Sequence, residues 1–245
     1  MGLRTQITAA TVGLVLGTGA LAQSSNVFES NKNAWSENVG WTDWAGANSR
    51  ADGVFIAGSY LTGYIWGENI GWIDVGRVPV NGVDYQNLNN TDYGVNIDPV
   101  TGALSGYAWG ENIGWVNFDT LAALGAFNQE AEFDRPARRF RGHAWGENIG
   151  WINLDDGTHY VSYCSADVTT TGAAIGDPAY GVPDGLVTGA DINFFVNAWG
   201  GGGLAVADVT TTGAAIGSPG YGTPDGVITG ADINFYVNAW VAGCP

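Results

Sequence analysis

The sequence predicts a mainly β amino-terminal repeat array followed by a small tandem of loop–helix units. Three observations carry this. Glycine is abundant, at 39 of 245 residues, beside 11 tryptophans, which suits turn-rich β structure better than a helical bundle. An octapeptide, "AWGENIGW", stands at 108–115 and again at 144–151, with near copies at 34–41 and 65–72. From Cys164 onward the vocabulary changes, and the segment Ala166–Trp199 returns almost unaltered 41 residues later as Ala207–Trp240. A hydrophobic content of 45% is enough for a packed core.

Residues 1–22 read as a secretory signal peptide. Arg4 supplies the positive start, Ile7–Gly19 is apolar and small, and Ala20–Ala22 before Gln23 is a small-x-small cleavage site. The apolar stretch is short for a membrane span, and no later segment could cross a bilayer, so an exported, extracellular or cell-surface protein is expected. Cleavage removes Arg4 and no acid, leaving 7 basic residues against 24 acidic ones, a net charge of −17. Such a surface repels nucleic acid and anionic lipid and suits divalent cations. Two cysteines in an exported chain, Cys164 and Cys244, read as a disulfide. His143 and His159 are too few and too poorly accompanied for a zinc site.

The tryptophan pairs Trp35/Trp41, Trp66/Trp72, Trp109/Trp115 and Trp145/Trp151 define four units in residues 23–163, spaced by 31, 43 and 36 residues. The third unit parses as strands at Tyr93–Ile97, Ala103–Trp109 and Ile113–Phe118. The turns "DPVTG" and "GEN" separate them, giving an antiparallel hairpin or three-stranded unit. Alternation sets Ile113, Trp115 and Asn117 on one side and Gly114, Val116 and Phe118 on the other. Gly110 and Gly114 permit a positive φ or a close approach. The truncated first copy is expected to cap a propeller-like ring, a sandwich or a short stack, and the sequence leaves that choice open.

Flanking one turn, Trp109 and Trp115 are expected to pair across the hairpin and plug against a neighbouring unit, with stacking on sugar as the rival role. Glu68, Glu111 and Glu147 are expected to serve their turns. A glycosidase needs two dissimilar carboxylates in one cleft, not one glutamate repeated. Arg135, Arg138, Arg139 and Arg141 read as a solvated face answering nearby acids, and His143, in the place of Tyr64 and Tyr107, as structural. No Ser-His-Asp, Cys-His or phosphate-loop pattern is present, so no catalytic residue is assigned and an enzyme is not expected.

In 164–245 each copy carries the run "PDG-x-aliphatic-TGADIN". Asp184, Gly185, Leu186, Val187, Thr188 and Asp191 fall at the fifth to ninth and twelfth positions of an EF-hand loop, with Asp167 and Thr169 at the first and third. A hard cation wants several oxygens, and the second copy offers the same set: Asp208, Thr210, Asp225, Val227, Thr229 and Asp232. After each closing Asp, apolar residues at spacings of three and four predict one short amphipathic helix. Gly200–Leu204, "GGGGL", reads as a flexible link.

On these residues the tandem resembles the dockerin module, two calcium-binding loop–helix repeats with an Asp-Gly-x-aliphatic-Ser/Thr/Asn-x-x-Asp core. The likeness covers Cys164–Pro245. It departs by thirteen inserted residues between Thr169 and Asp184, and between Thr210 and Asp225, and by Thr where the family usually has Asn or Asp. It is similar to long-loop versions at the carboxy ends of exported planctomycete proteins, often with a terminal Gly-Cys. The resemblance implies two Ca2+ ions and attachment to a protein partner or cell-surface component. It also implies adjacent chain ends clasped by Cys164–Cys244 around 79 intervening residues, a loop worth about 4 kcal/mol in the chain-entropy account. The function expected is a non-catalytic adhesion or scaffold protein. The rival is a carbohydrate-binding accessory of polysaccharide breakdown, since dockerins often ride on glycoside hydrolases.

Overall fold

The computed structural model describes residues 25–177, 179–216, 218 and 220–244. The signal-peptide reading of 1–22 therefore lies outside the described residues. The strands are β1 (Val27–Ser36), β2 (Gly40–Asp43), β3 (Phe55–Ile56), β4 (Leu61–Gly67), β5 (Gly71–Gly76), β6 (Val95–Ile97), β7 (Leu104–Gly110), β8 (Gly114–Asn117), β9 (Glu132–Asp134), β10 (Arg139–Arg141), β11 (His143–Gly146), β12 (Gly150–Asn153) and β13 (Val161–Tyr163). Helices are α1 (Leu121–Leu124), α2 (Gly189–Gly201), α3 (Leu204–Ala207) and α4 (Gly230–Ala242).

Each octapeptide is the bend of one hairpin: β1–β2, β4–β5, β7–β8 and β11–β12. The four hairpins join edge to edge in chain order. The last returns to the first through Trp35 opposite Asn153 and Ser36 opposite Ile152. The array is thus a closed eight-stranded antiparallel barrel, a closure outside the ring, sandwich and stack considered above. It has no capping copy, because closure leaves no sheet edge to cap. β3 and β6 add third strands beside β4 and β7, and β13, β10 and β9 extend the sheet from the start of β1.

Eight strands leave an interior that side chains can just fill. The inward cross-strand pairs are Ala34/Thr42, Ile65/Ile73, Ala108/Val116 and Ala144/Ile152, so small residues on some strands make room for large ones on others. Trp44 fills the barrel at one end, fully buried against Phe118 and Phe140. Its indole N–H donates to Thr42 Oγ1 at 3.3 Å. A void of about 10 Å3 remains, little more than a single water, so this is a packed core and not a channel.

The other end is closed by the turns. Each is a three-residue bend followed by a glycine in the left-handed region, and in the second, third and fourth the Ile N–H is bonded back to the preceding Gly, as Ile113 N to Gly110 O at 3.1 Å. Gly114, at φ 74°, shifts the strand phase, so Ile113 turns inward instead of lying beside Trp115 as simple alternation predicts. Val39, Ile70, Ile113 and Ile149 are all buried and together cover the barrel mouth. They lie over the glycine before the turn: a Cβ at Gly67, Gly110 or Gly146 would come within 2.5–2.7 Å of the isoleucine Cγ1. The first copy has Ser36 and the smaller Val39 at these places, both buried, and Ser36 Oγ donates to Ile149 O at 3.3 Å.

The carboxy-terminal tandem packs α2 against α4. Phe195 and Tyr236 stack at 3.8 Å, and the two tryptophans cross over: Trp199 Nε1 donates to Thr229 O, and Trp240 Nε1 to Thr188 O, each at 2.8 Å. Gly200–Leu204 is not a loose link. α2 runs to Gly201, and Gly202, left-handed, caps it with its N–H on Ala198 and Trp199 carbonyls. Cys164 and Cys244 are disulfide-bonded, Cα atoms 5.1 Å apart, and Phe28 of β1 packs into the same cluster as Ala166, Ala239 and Trp240.

Candidate functional site

All four tryptophan pairs lie directly across their hairpins, ring centroids 4.5–4.8 Å apart at 57–63°. They point outward. Trp35, Trp41, Trp72, Trp109, Trp145 and Trp151 are 37–47% exposed, and Trp66 and Trp115 are half-buried. The expectation that they plug unit against unit is overturned, because Ala, Ile, Val and Thr occupy the inward phase. Neighbouring rings widen the aromatic surface: Tyr93 and Tyr107 beside Trp115, Tyr64 beside Trp72, His159 beside Trp41 and His143 beside Trp151.

Two residues of the repeat do structural work that the sequence reading gave to others. The turn asparagines bridge successive hairpins. Asn69 donates to Val39 O, Asn112 to Ile70 O, Asn148 to Ile113 O and Asn38 to Ile149 O, at 2.9–3.0 Å, a closed circuit of four bonds. The residue two beyond the second tryptophan (Asp43, Asp74, Asn117 or Asn153) accepts the N–H two positions on, an Asx turn repeated in every unit. Its signal, "W-x-D/N", was visible in all four copies. The glutamates, by contrast, serve no turn. Glu37, Glu68, Glu111 and Glu147 are exposed and make no hydrogen bond or ion pair among the described residues.

The arginine cluster answers nearby acids as expected at Arg139 and Arg141, but Arg135 and Arg138 are not part of a solvated face. Arg139 and Arg141 clamp Asp155, at 3.2 and 2.9 Å, and Arg141 also holds Asp134 at 2.6 Å. Arg135 and Arg138 are partly buried, which lowers the pKa of both guanidinium groups.

The two acidic loops match bond for bond. Asp167 accepts from Asp184 N and Gly185 N at 3.0 and 2.7 Å, as Asp208 does from Asp225 N and Gly226 N. Asp191 takes Val168 N and Thr169 N on one oxygen and Thr188 N and Oγ1 on the other; Asp232 repeats this with Val209, Thr210 and Thr229. Thr188 and Thr229 complete capping boxes at the starts of α2 and α4. Thr169 and Thr210 accept from Gly181 N and Gly222 N, while Leu186 N and Val227 N bond to Asp184 and Asp225. Burial, with the charges of Asp191 and Asp184, pushes the Asp167 carboxyl up to about 6 against the pull of its two N–H donors. Burial also raises Asp208.

This donor set is hard-oxygen chemistry of the kind calcium takes. A carboxylate offers about four acceptor positions. Asp191 and Asp232 spend theirs on their own loops, whereas Asp167, Asp184, Asp208 and Asp225 retain capacity. Among the described residues no three His, Cys, Asp or Glu side chains form a ready metal cluster, and no helix is long and apolar enough to cross a membrane. Compared with known proteins, the chain matches no protein-family model, no curated protein and no solved structure.

Proposed function

We infer that this is a non-catalytic exported protein that binds polysaccharide through the tryptophan pairs of its barrel. The carboxy-terminal dockerin-like tandem attaches it to a protein partner or to the cell surface. The outward placement of four equivalent tryptophan pairs is the observation that carries this reading. Exposed aromatic surface repeated around a barrel is not needed for its packing, and large exposed apolar patches mark binding sites. Indole faces stack on sugar rings, and each pair lies beside a turn glutamate whose carboxylate is unengaged and can accept sugar hydroxyls. Four weak sites on one rigid barrel would act together on a repeating polymer by avidity. The glutamates occupy equivalent turns, not two dissimilar places in one cleft, which supports binding over hydrolysis.

Each carboxy-terminal loop is assigned one calcium ion, held in the first loop by Asp167 and Asp184 and in the second by Asp208 and Asp225. Carbonyl oxygens, among them those of Leu186 and Val227, would complete each shell. In this assignment Asp191 and Asp232 organise the loop. A glycan-array screen of the intact protein tests the main reading. Binding to a defined set of polysaccharides, weakened when exposed tryptophans are replaced by alanine, is expected. An array with no bound glycan would remove it.

A further inference from the structure

A cleft of about 560 Å3 lies between the barrel extension and the carboxy-terminal tandem. Arg135, Arg138, Tyr163 and Ser165 line one side, and Tyr221, Phe235 and Asn238 the other. Its volume is that of a site for a small organic ligand, a sugar unit or two.

The chain has few cations and many acids, yet Arg135 and Arg138 form no ion pair among the described residues. Arg135 gives one N–H to Gly58 O at 2.8 Å, and the Arg138 side chain makes no hydrogen bond among the described residues. Arg135 Nε and Arg138 Nη1 are buried without a partner among the described residues. Ser165 is 3% exposed, and its Oγ sits beside the Tyr163 hydroxyl without a hydrogen bond of ordinary geometry. Partly desolvated guanidinium groups with no carboxylate in contact are costly; Asp98 attracts Arg135 from beyond ion-pair distance. Arg139 and Arg141, a few residues along, each have a carboxylate in contact, although Arg139 Nε too is buried without a partner among the described residues.

We propose that this cleft is a second ligand site, which takes an anionic sugar, either a uronate or a sulfated residue, through Arg135 and Arg138. A guanidinium fork matches carboxylate and sulfate oxygens and gives strong charge-assisted hydrogen bonds. The remaining lining suits the sugar body: Tyr221 and Phe235 offer rings, while Asn238 and Glu132 offer partners for hydroxyls. Asp134, also on the wall, is neutralised by Arg141 at 2.6 Å. The net negative charge of the molecule does not forbid such a ligand, since physiological salt screens charges beyond roughly 8 Å. The site is separate from the tryptophan pairs and does not depend on their binding sugar.

Calorimetric titration of the intact protein with trigalacturonate, a sulfated disaccharide and a neutral trisaccharide tests this. At least one anionic sugar should bind, more weakly as salt rises. Which one binds identifies the anion, and binding by either supports the site. Arg138→Met should weaken it about tenfold or more, the loss of roughly one charge-assisted contact. Ala242→Trp, at an exposed lining position of α4, should do likewise by filling the cleft without touching the core. Trp151→Ala should leave it unchanged. Failure of both anionic sugars to bind overturns the proposal, as does binding that survives both Arg138→Met and Ala242→Trp.

Discussion

Asn38 donates its side-chain amide to the carbonyl of Ile149 at 3.0 Å, joining two turns 111 residues apart and completing the circuit of asparagine bonds around the barrel mouth. The repeated octapeptide is therefore a joint, but asparagine, glycine and isoleucine make it. The tryptophans are free of that duty and face outward.

Removing one member of the circuit should cost about what one net hydrogen bond is worth. Asn38→Ala and Asn112→Ala are each expected to destabilise the barrel by about 1 kcal/mol. Denaturant unfolding of the single variants and of Asn38→Ala with the adjacent Asn69→Ala checks this. An additive double variant would show that the bonds act singly, and a non-additive one that the circuit acts as a unit.

The Gly146–Ile149 contact predicts a compensating pair. Gly146→Ala forces a Cβ to 2.5 Å from Ile149 Cγ1 and should destabilise by about 1–3 kcal/mol, as overpacking does. Adding Ile149→Val, which reproduces the Ser36/Val39 arrangement of the first copy, should restore part of the loss in the same assay.

Burial separates two tryptophans that composition alone does not. Trp44→Ala, in the core, should cost about 3–5 kcal/mol. Trp151→Ala, 41% exposed, should cost about 1 kcal/mol, the worth of its aromatic pairing. Equal losses in chemical denaturation would show that the outward rings carry structure after all.

Calcium removal should lower the melting temperature of the carboxy-terminal tandem, because an ion bound to the folded state alone stabilises it by mass action. Asp184→Asn and Asp225→Asn should each abolish one site in a calcium titration while the fold persists. Asp191→Ala should unfold its loop even at saturating calcium, since its carboxylate holds three backbone N–H groups and a hydroxyl. Identical melting of metal-free and calcium-saturated protein would refute the calcium assignment.

Local features were legible in the sequence and non-local ones were not. The hairpins, the two helices, which begin two residues before Asp191 and Asp232 and not after them, and the Cys164–Cys244 bridge follow from turn residues, apolar spacing and cysteine count. Closure of the barrel depends on seam registers such as Asp43 opposite Trp66 and Trp35 opposite Asn153, which no single repeat specifies. The tryptophans face outward although large aromatics usually pack inside, because one left-handed glycine per turn puts Val39, Ile70, Ile113 or Ile149 inward in their place. Trp44 lies outside the octapeptide but at a repeated apolar position, three residues after Trp41, where the other copies place the equally buried Val75, Phe118 and Leu154. Arg135 and Arg138 looked solvated because the tandem that covers them lies far along the chain.

Whether the outward tryptophan pairs hold polysaccharide is read most directly by calorimetric titration of the intact protein with the oligosaccharide preferred on the array. Wild type would be compared with a variant carrying Trp41→Ala, Trp72→Ala, Trp109→Ala and Trp151→Ala, one ring from each pair, shown to remain folded. Weak binding at several equivalent sites is expected in the wild type, and its loss in the variant. Undiminished binding by the folded variant would contradict this role for the pairs.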